Sequence, residues 1–373
     1  MPETSSLPGL VSGGAFVLAT LFGAVAQRAG FCTMGAIADA ATFGDWRRMR
    51  MWMLAVAVAI AGSTALQGSG LIDLRRSLYT GSAVSWLSAL VGGLMFGIGM
   101  TLASGCVSKT LIRVGGGSLK SLVVLLFMAV AAYMTLKGLF APWRAGALDS
   151  VQFDVAAFGA KTSDLGAVLG ALGLGAATKV WVGFVLAAAL AAWTLASRDF
   201  RRARGMVVGG LVLGALIVGG WFLTAHVGYV AEDPQTLEER FVATTSGRPE
   251  SFSFTGPVAA ALELLLLWTD QSRTVTFGIA VVLGTLVGAC GAALASGSFR
   301  WEGFASVEDV ANHIGGGVLM GIGGITALGC TIGQGLTGVS TLALGSFIAL
   351  AAIIGGSVAA LRYQVWRLER TGG

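Results

Sequence analysis

Residues 94–106 read Leu94-Met95-Phe96-Gly97-Ile98-Gly99-Met100-Thr101-Leu102-Ala103-Ser104-Gly105-Cys106, and residues 319–330 read Leu319-Met320-Gly321-Ile322-Gly323-Gly324-Ile325-Thr326-Ala327-Leu328-Gly329-Cys330. Each is an apolar run suited to lipid that ends abruptly in Gly, Ser, Thr and Cys. About 20 apolar residues in a helix cross a bilayer. A helix broken at that depth is tolerated only where the break is buried in protein or lines a cavity. These segments set the fold class: an all-α integral membrane protein with short half-helices and re-entrant loops. Gly97-Ile98-Gly99 and Gly105-Cys106 recur 224 positions later as Gly321-Ile322-Gly323 and Gly329-Cys330, an internal pseudo-repeat.

The rest of the chain agrees with that class. Of its 373 residues, 12% are charged, about half the share of a soluble domain. The charges fall between apolar runs, as membrane loops require. Runs near 9–27, 51–70, 83–103, 118–138, 179–197, 205–226, 275–295, 313–333 and 341–361 are read as about nine transmembrane helices. Residues 257–268, with Pro257 and Glu263, form an interfacial or partly inserted helix, and 165–177 is not a full span. Met1 to Pro8 lacks a basic region of the secretory kind, so the first run is the first span. Clusters at Arg47, Arg48 and Arg50, at Arg198, Arg201, Arg202 and Arg204, and at Arg362, Arg367 and Arg370 fall on one side of a nine-span chain. The positive-inside rule makes that side cytoplasmic, with the N-terminus outside and the C-terminus inside. Arg75 and Arg76 fall on the other side.

The chain reads as a single polytopic domain, residues 1–373, with a first repeat of about 9–140, a second of about 257–361, and intervening helices over about 165–226. On nine spans the two Gly-Cys segments run in opposite directions. Such inverted repeats place a transport site at their interface near the midplane. A weaker echo pairs Gly23 and Phe31 with Gly291 and Phe299, which sets Arg300 opposite Cys32.

Three segments carry the chemistry: Gly30-Phe31-Cys32-Thr33, Ser104-Gly105-Cys106 continuing to Lys109 and Arg113, and Gly329-Cys330-Thr331 continuing to Gln334. A half-helix that starts after a break points free N–H groups and a positive dipole end into the cavity, which suits an anion. A neutral thiol is a weak hydrogen-bond donor suited to a soft, sulfur-bearing ligand. A series of such thiols binds loosely enough to let an ion leave. The plainer reading is that a buried cysteine packs as a small hydrophobe, and Cys290 is read that way. Lys109 and Arg113 attract anions at one mouth or simply anchor the loop. Gln334 donates to an oxyanion or joins helices. No cofactor or metal is expected. The phosphate-loop pattern would need Gly at 103 and 108, where Ala103 and Ser108 stand. Two histidines and four cysteines without a CxxC pair make no ordinary zinc set.

At these segments the chain resembles the YeeE/YedE family of sulfur-transport membrane proteins. The likeness is carried by residues 94–106 running on to Arg113-Val114-Gly115-Gly116-Gly117-Ser118, and by residues 319–336 with their Gly329-Cys330-Thr331-Ile332-Gly333-Gln334-Gly335-Leu336 end. Phe252-Ser253-Phe254-Thr255-Gly256-Pro257 and Phe299-Arg300-Trp301-Glu302 add to it. The resemblance implies a transporter, not an enzyme, for thiosulfate uptake across the bacterial inner membrane. It implies an hourglass whose waist presents three cysteines, here Cys32, Cys106 and Cys330, to the path. It also implies a cytoplasmic TusA-like sulfur carrier or sulfurtransferase as partner, and no nucleic acid. The expected substrate set is Cys32, Cys106, Cys330, Gly105, Gly329, Thr331 and Gln334, with Lys109 and Arg113 attracting the anion. Three other outcomes stay open: transport of another sulfur or selenium oxyanion such as sulfite, thiol transfer through a persulfide on Cys106, and a structural membrane subunit with inert buried cysteines.

Overall fold

The structure, a computed structural model, describes residues 3–174, 178–233, 237–304 and 306–371. In chain order its helices are α1 (Glu3–Ala29), α2 (Thr33–Ala38), α3 (Arg47–Gly68), α4 (Trp86–Leu102), α5 (Val107–Gly115), α6 (Leu119–Leu136), α7 (Ala141–Trp143), α8 (Leu165–Leu169), α9 (Thr178–Ala196), α10 (Arg198–Arg202), α11 (Arg204–Phe222), α12 (Thr255–Leu266), α13 (Phe277–Ala295), α14 (Val307–Thr326) and α15 (Leu344–Thr371). The chain is an all-α membrane protein. Among the described residues, eight helical stretches are long and apolar enough to cross a bilayer. The ninth apolar run becomes α14, whose 20 residues open on Glu308, Asp309, Asn312 and His313. Those polar turns lower its mean hydropathy, and Ser306 caps its start by accepting the Asp309 N–H at 3.1 Å.

The segment 165–177 is short, as expected. It holds α8 and a π-helical turn, Gly170–Leu174, kinked at Gly173; residues 175–177 lie outside the described residues. The 257–268 run is the 12-residue α12, where Glu263 is buried and ion-paired to Lys137 and Arg273. Two short antiparallel ribbons, Ala83–Val84 with Phe153–Asp154 and Tyr229–Val230 with Arg240–Phe241, tie loops together.

Glycine sets how closely the long helices approach, because lipid offers no hydrophobic drive and contact packing must replace it. A Cβ on Gly92 would lie 2.5 Å from the Ala327 nitrogen, and one on Gly323 2.6 Å from the Gly92 oxygen. Further along, Gly99 and Gly316 meet in the same way at 2.7 and 2.6 Å. Rising numbers on α4 therefore face falling numbers on α14, and the two run antiparallel. Gly317 and Gly321 lie against Val124 and Met128, so α14 and α6 run parallel. Gly93 and Gly97 lie against Ala349 and Ile353, and Thr101 bonds Ser357 at 2.8 Å, so α4 and α15 also run parallel. Beside this group, α1 and α13 pack in parallel through Gly284 and Gly288. Phe22 joins Phe252 and Phe254 there, with ring centroids 5.2 and 5.7 Å away. That aromatic cluster holds the 251–254 loop, whose Ser253 lies against Gly333.

Candidate functional site

The backbone turns left-handed at Gly30, Ser104 and Leu328, with φ of 65°, 56° and 58°. In each case the following N–H returns to a carbonyl five residues back: Phe31 to Ala26 at 3.0 Å, Gly105 to Met100 at 2.8 Å and Gly329 to Gly324 at 2.8 Å. This closes α1, α4 and α14 with orphan carbonyls satisfied. The next residue is always a cysteine. The carbonyls of Cys32, Cys106 and Cys330 accept from Ala36, Thr110 and Gln334 at 2.9, 2.9 and 2.7 Å, which starts a new short helix. These are α2, α5 and the π-helical turn Gly333–Gly338. A similar turn closes α13 at Gly297, with φ of 64° and a Ser298 N–H to Ala293 bond of 2.9 Å, and Gly70, Gly117 and Gly159 turn in the same way.

The three cysteines are buried and unbridged. Cys32 Sγ accepts the Gly35 N–H at 3.3 Å, and Cys330 Sγ accepts the Gly333 N–H at 3.4 Å. Cys106 Sγ lies 3.2 Å from Ser108 Oγ. The thiols of Cys32 and Cys106 are neighbours, and Thr331 reaches across to Cys106 from the Cys330 loop. The Thr33 and Thr331 hydroxyls are buried, and apart from the approach of Thr331 to Cys106 they meet no hydrogen-bond partner. A buried hydroxyl without a partner carries a desolvation cost.

The other expected site residues divide. Gly105 and Gly329 let the loops fold onto the helices that follow, where a Cβ would meet the Lys109 stem at 3.3 Å and Gln334 at 3.2 Å. The Gln334 amide donates to the Ala327 carbonyl at the break, and its buried Oε1 has no partner. Arg113 donates to the Ser104 carbonyl at 3.1 Å, which braces the first Gly-Cys break from below. Lys109 lies within electrostatic range of Cys32, Cys106, Arg113 and Arg48. Arg48, held to Asp39 at 3.2 Å, rests against Gly35. Cationic side chains therefore collect beside Cys32 and Cys106. Cys290 is half-buried on α13, apart from the three breaks.

A cavity of about 620 Å³ opens on the opposite side and ends at Gly329. Tyr79, Lys137, Glu250, Ser253, Glu263 and Arg273 help to line it. A Cβ on Gly333 would meet Ser253 Oγ at 2.5 Å and the Tyr79 hydroxyl at 3.6 Å, so both cover the Cys330 turn. The Glu250 carboxylate accepts the Thr245 N–H at 2.9 Å. Burial pushes that carboxyl up to about 7, against the opposing pull of this bond. None of Tyr79, Glu250 or Ser253 was marked as a site residue by its sequence. They come from two loops, Tyr79 from one and Glu250 and Ser253 from the other, and the only signal was Ser253 inside the Phe252-to-Pro257 motif.

The model of the sulphur transport family matches residues 28–359. The thiosulfate transporter TsuA of Spirochaeta thermophila is 29% identical over 337 residues, covering 88% of this chain and 92% of that protein. TsuA of Escherichia coli K12 is 28% identical over 360 residues, covering 94% and 92%. With nearly the whole chain matched and all three breaks inside the matched region, this multi-pass membrane transporter belongs to the YeeE/YedE family of sulphur-transport proteins.

Proposed function

We propose that this chain takes thiosulfate into the cell through the waist formed by Cys32, Cys106 and Cys330. The observation that carries the reading is the convergence of three buried thiols, each heading a short helix, on one spot closed by Thr331. The names of the two TsuA relatives supply the substrate. In this reading neutral S–H groups donate to the terminal sulfur, while Thr331, Gln334 and backbone N–H groups serve the oxygens. Gly105 and Gly329 keep the loops close, and Lys109 and Arg113 attract the anion. No bond to sulfur forms. The protein sits in the inner membrane with its N-terminus outside, as a single domain with repeats over about 9–140 and 257–361. The antiparallel contact of α4 with α14 supports an inverted arrangement. A cytoplasmic TusA-like carrier or sulfurtransferase consumes the ion and keeps its internal concentration low.

Proteoliposome uptake tests this directly, with sulfate and sulfite as competitors. Wild type takes up thiosulfate selectively. Cys106→Ala and Cys330→Ala each lose it by about tenfold or more, since a hydrogen bond to a charged group contributes about 1.5–3 kcal/mol. Undiminished uptake in both variants returns the cysteines to packing. A sulfur adduct on Cys106 during turnover would replace the relay with persulfide transfer.

A further inference from the structure

We propose that the corner between α9 and α11 binds the phosphate of an anionic phospholipid headgroup. Arg198, Arg201, Arg202 and Arg204 line a recess of about 660 Å³ there, and no carboxylate lines it. Arg201 spends one N–H on the Leu195 carbonyl at 2.9 Å. None of the four is ion-paired among the described residues. The neighbouring recess holds the local acids, Asp45 and Asp199, together with Arg47, Arg50 and Arg202. Arg47 grips Asp45 there at 2.7 Å. The four-arginine recess thus carries positive charge with no carboxylate in its lining, and Arg202 borders both recesses.

The position of that face selects a lipid over a soluble anion. Only 17% of the spanning window of α9 is buried, so most of this helix faces the surroundings. Its Trp181, Phe184, Val185 and Trp193 side chains are exposed and apolar, as lipid contact requires. Near its C-terminal end Trp193 meets Trp46 edge-on at 6.2 Å, a pair of the kind that marks the membrane–water boundary. The four arginines follow directly after the end of α9, on the water side of that tryptophan pair in chain order.

The corner is also rigid. Phe200 is fully buried beneath α10, and Ser197 caps it by accepting the Phe200 N–H at 3.4 Å. The Arg50 guanidinium stacks 4.5 Å over Trp193 and bonds the carbonyls at the end of α9. Arg198, Arg202 and Arg204 therefore project from a fixed turn, and guanidinium forks match phosphate oxygens in geometry and charge. Basic pockets at the membrane boundary hold anionic headgroups in this way.

The test is native mass spectrometry of the purified chain, released from mixed micelles holding equal phosphatidylglycerol and phosphatidylcholine. The wild type retains phosphatidylglycerol about tenfold over phosphatidylcholine. Arg198→Gln/Arg202→Gln/Arg204→Gln loses that preference, while Arg362→Gln/Arg370→Gln on α15 keeps it. A photoactivatable phosphatidylglycerol cross-links to residues 198–204 in the wild type, a readout that needs no variant to fold. Equal retention of the two lipids, cross-links elsewhere, or a triple variant that keeps its preference overturns the proposal. Displacement by millimolar inorganic phosphate assigns the recess to a free anion. Suppression of retention by an acidic peptide alone assigns it to a soluble partner. Either result also overturns the lipid reading.

Discussion

Cys32, Cys106 and Cys330 owe their positions to a backbone conformation that two of the three breaks adopt at some cost. Ser104 and Leu328 hold left-handed φ without being glycine, at roughly 1–2 kcal/mol each. Gly30 reaches the same geometry freely, with nothing within 4 Å of where a Cβ would stand. Ser104 and Leu328 each stand two residues before a cysteine, and Leu237, Ala243 and Leu342 hold left-handed φ as well. At this scale the outer cavity also holds a titratable group. Glu250 is neutral below about 7 and charged above it, because burial disfavours the carboxylate. The groups that share the cavity with it are Tyr79, Lys137, Arg144, Arg240, Glu263 and Arg273. Burial also pushes the Tyr79 hydroxyl up, away from this range. Ionisation of Glu250 adds a repulsion on the order of 1 kcal/mol toward an arriving anion. Thiosulfate uptake should fall severalfold from pH 6 to 8, and Glu250→Gln should flatten that profile. A wild-type profile that rises over the same range would show that the anion does not pass Glu250.

Among the elements, glycine-mediated contact predicts a sharp contrast along one helix. On α13, a Cβ at Gly288 would fall inside the Thr20 carbonyl of α1, whereas one at Gly291 meets nothing within 4 Å. Gly288→Ala must push two backbones apart, and overpacking of this kind costs about 1–3 kcal/mol. Gly291→Ala adds helix propensity worth up to about 1 kcal/mol with no clash. Melting of the detergent-solubilised variants checks this: Gly288→Ala melts well below wild type and Gly291→Ala at or above it. Similar melting would mean that α1 and α13 do not hold this contact in the membrane. The spans themselves were legible, because length and apolarity alone identify them. The run at 313–333 shifted to α14 because apolar residues continue past the break at Leu328, and hydropathy does not see a left-handed φ. Cys106 and Cys330 drew notice because Gly-Cys recurs, and Cys32 because Gly30 interrupts the run before it. The outer cavity was not legible, because Tyr79, Lys137, Glu250 and Arg273 meet only after separate loops and helices pack.

Across the whole molecule, α4 packs against α15 while α14 packs against α6, so each Gly-Cys helix is clasped by the helix that ends the other segment. Both breaks then lie at the crossing of one four-helix group, and a shift of either segment is felt by the other. Such a frame holds a narrow path steady but supplies no energy of its own. A dianion moving inward works against an inside-negative potential at roughly 2.3 kcal/mol per charge per 100 mV. For two charges at 100 mV the opposition is about 4.6 kcal/mol, or about three orders of magnitude in the inside-to-outside ratio. If thiosulfate crosses alone, proteoliposomes clamped inside-negative with potassium and valinomycin should hold far less of it at steady state than unclamped ones. Clamping inside-positive should reverse the effect. An internal sulfurtransferase that consumes thiosulfate should restore net uptake under the negative clamp, because removal of product substitutes for the missing drive. Steady-state levels indifferent to either clamp would mean that cations travel with the anion in equal charge, and the search would then move to the carboxylates that could carry them.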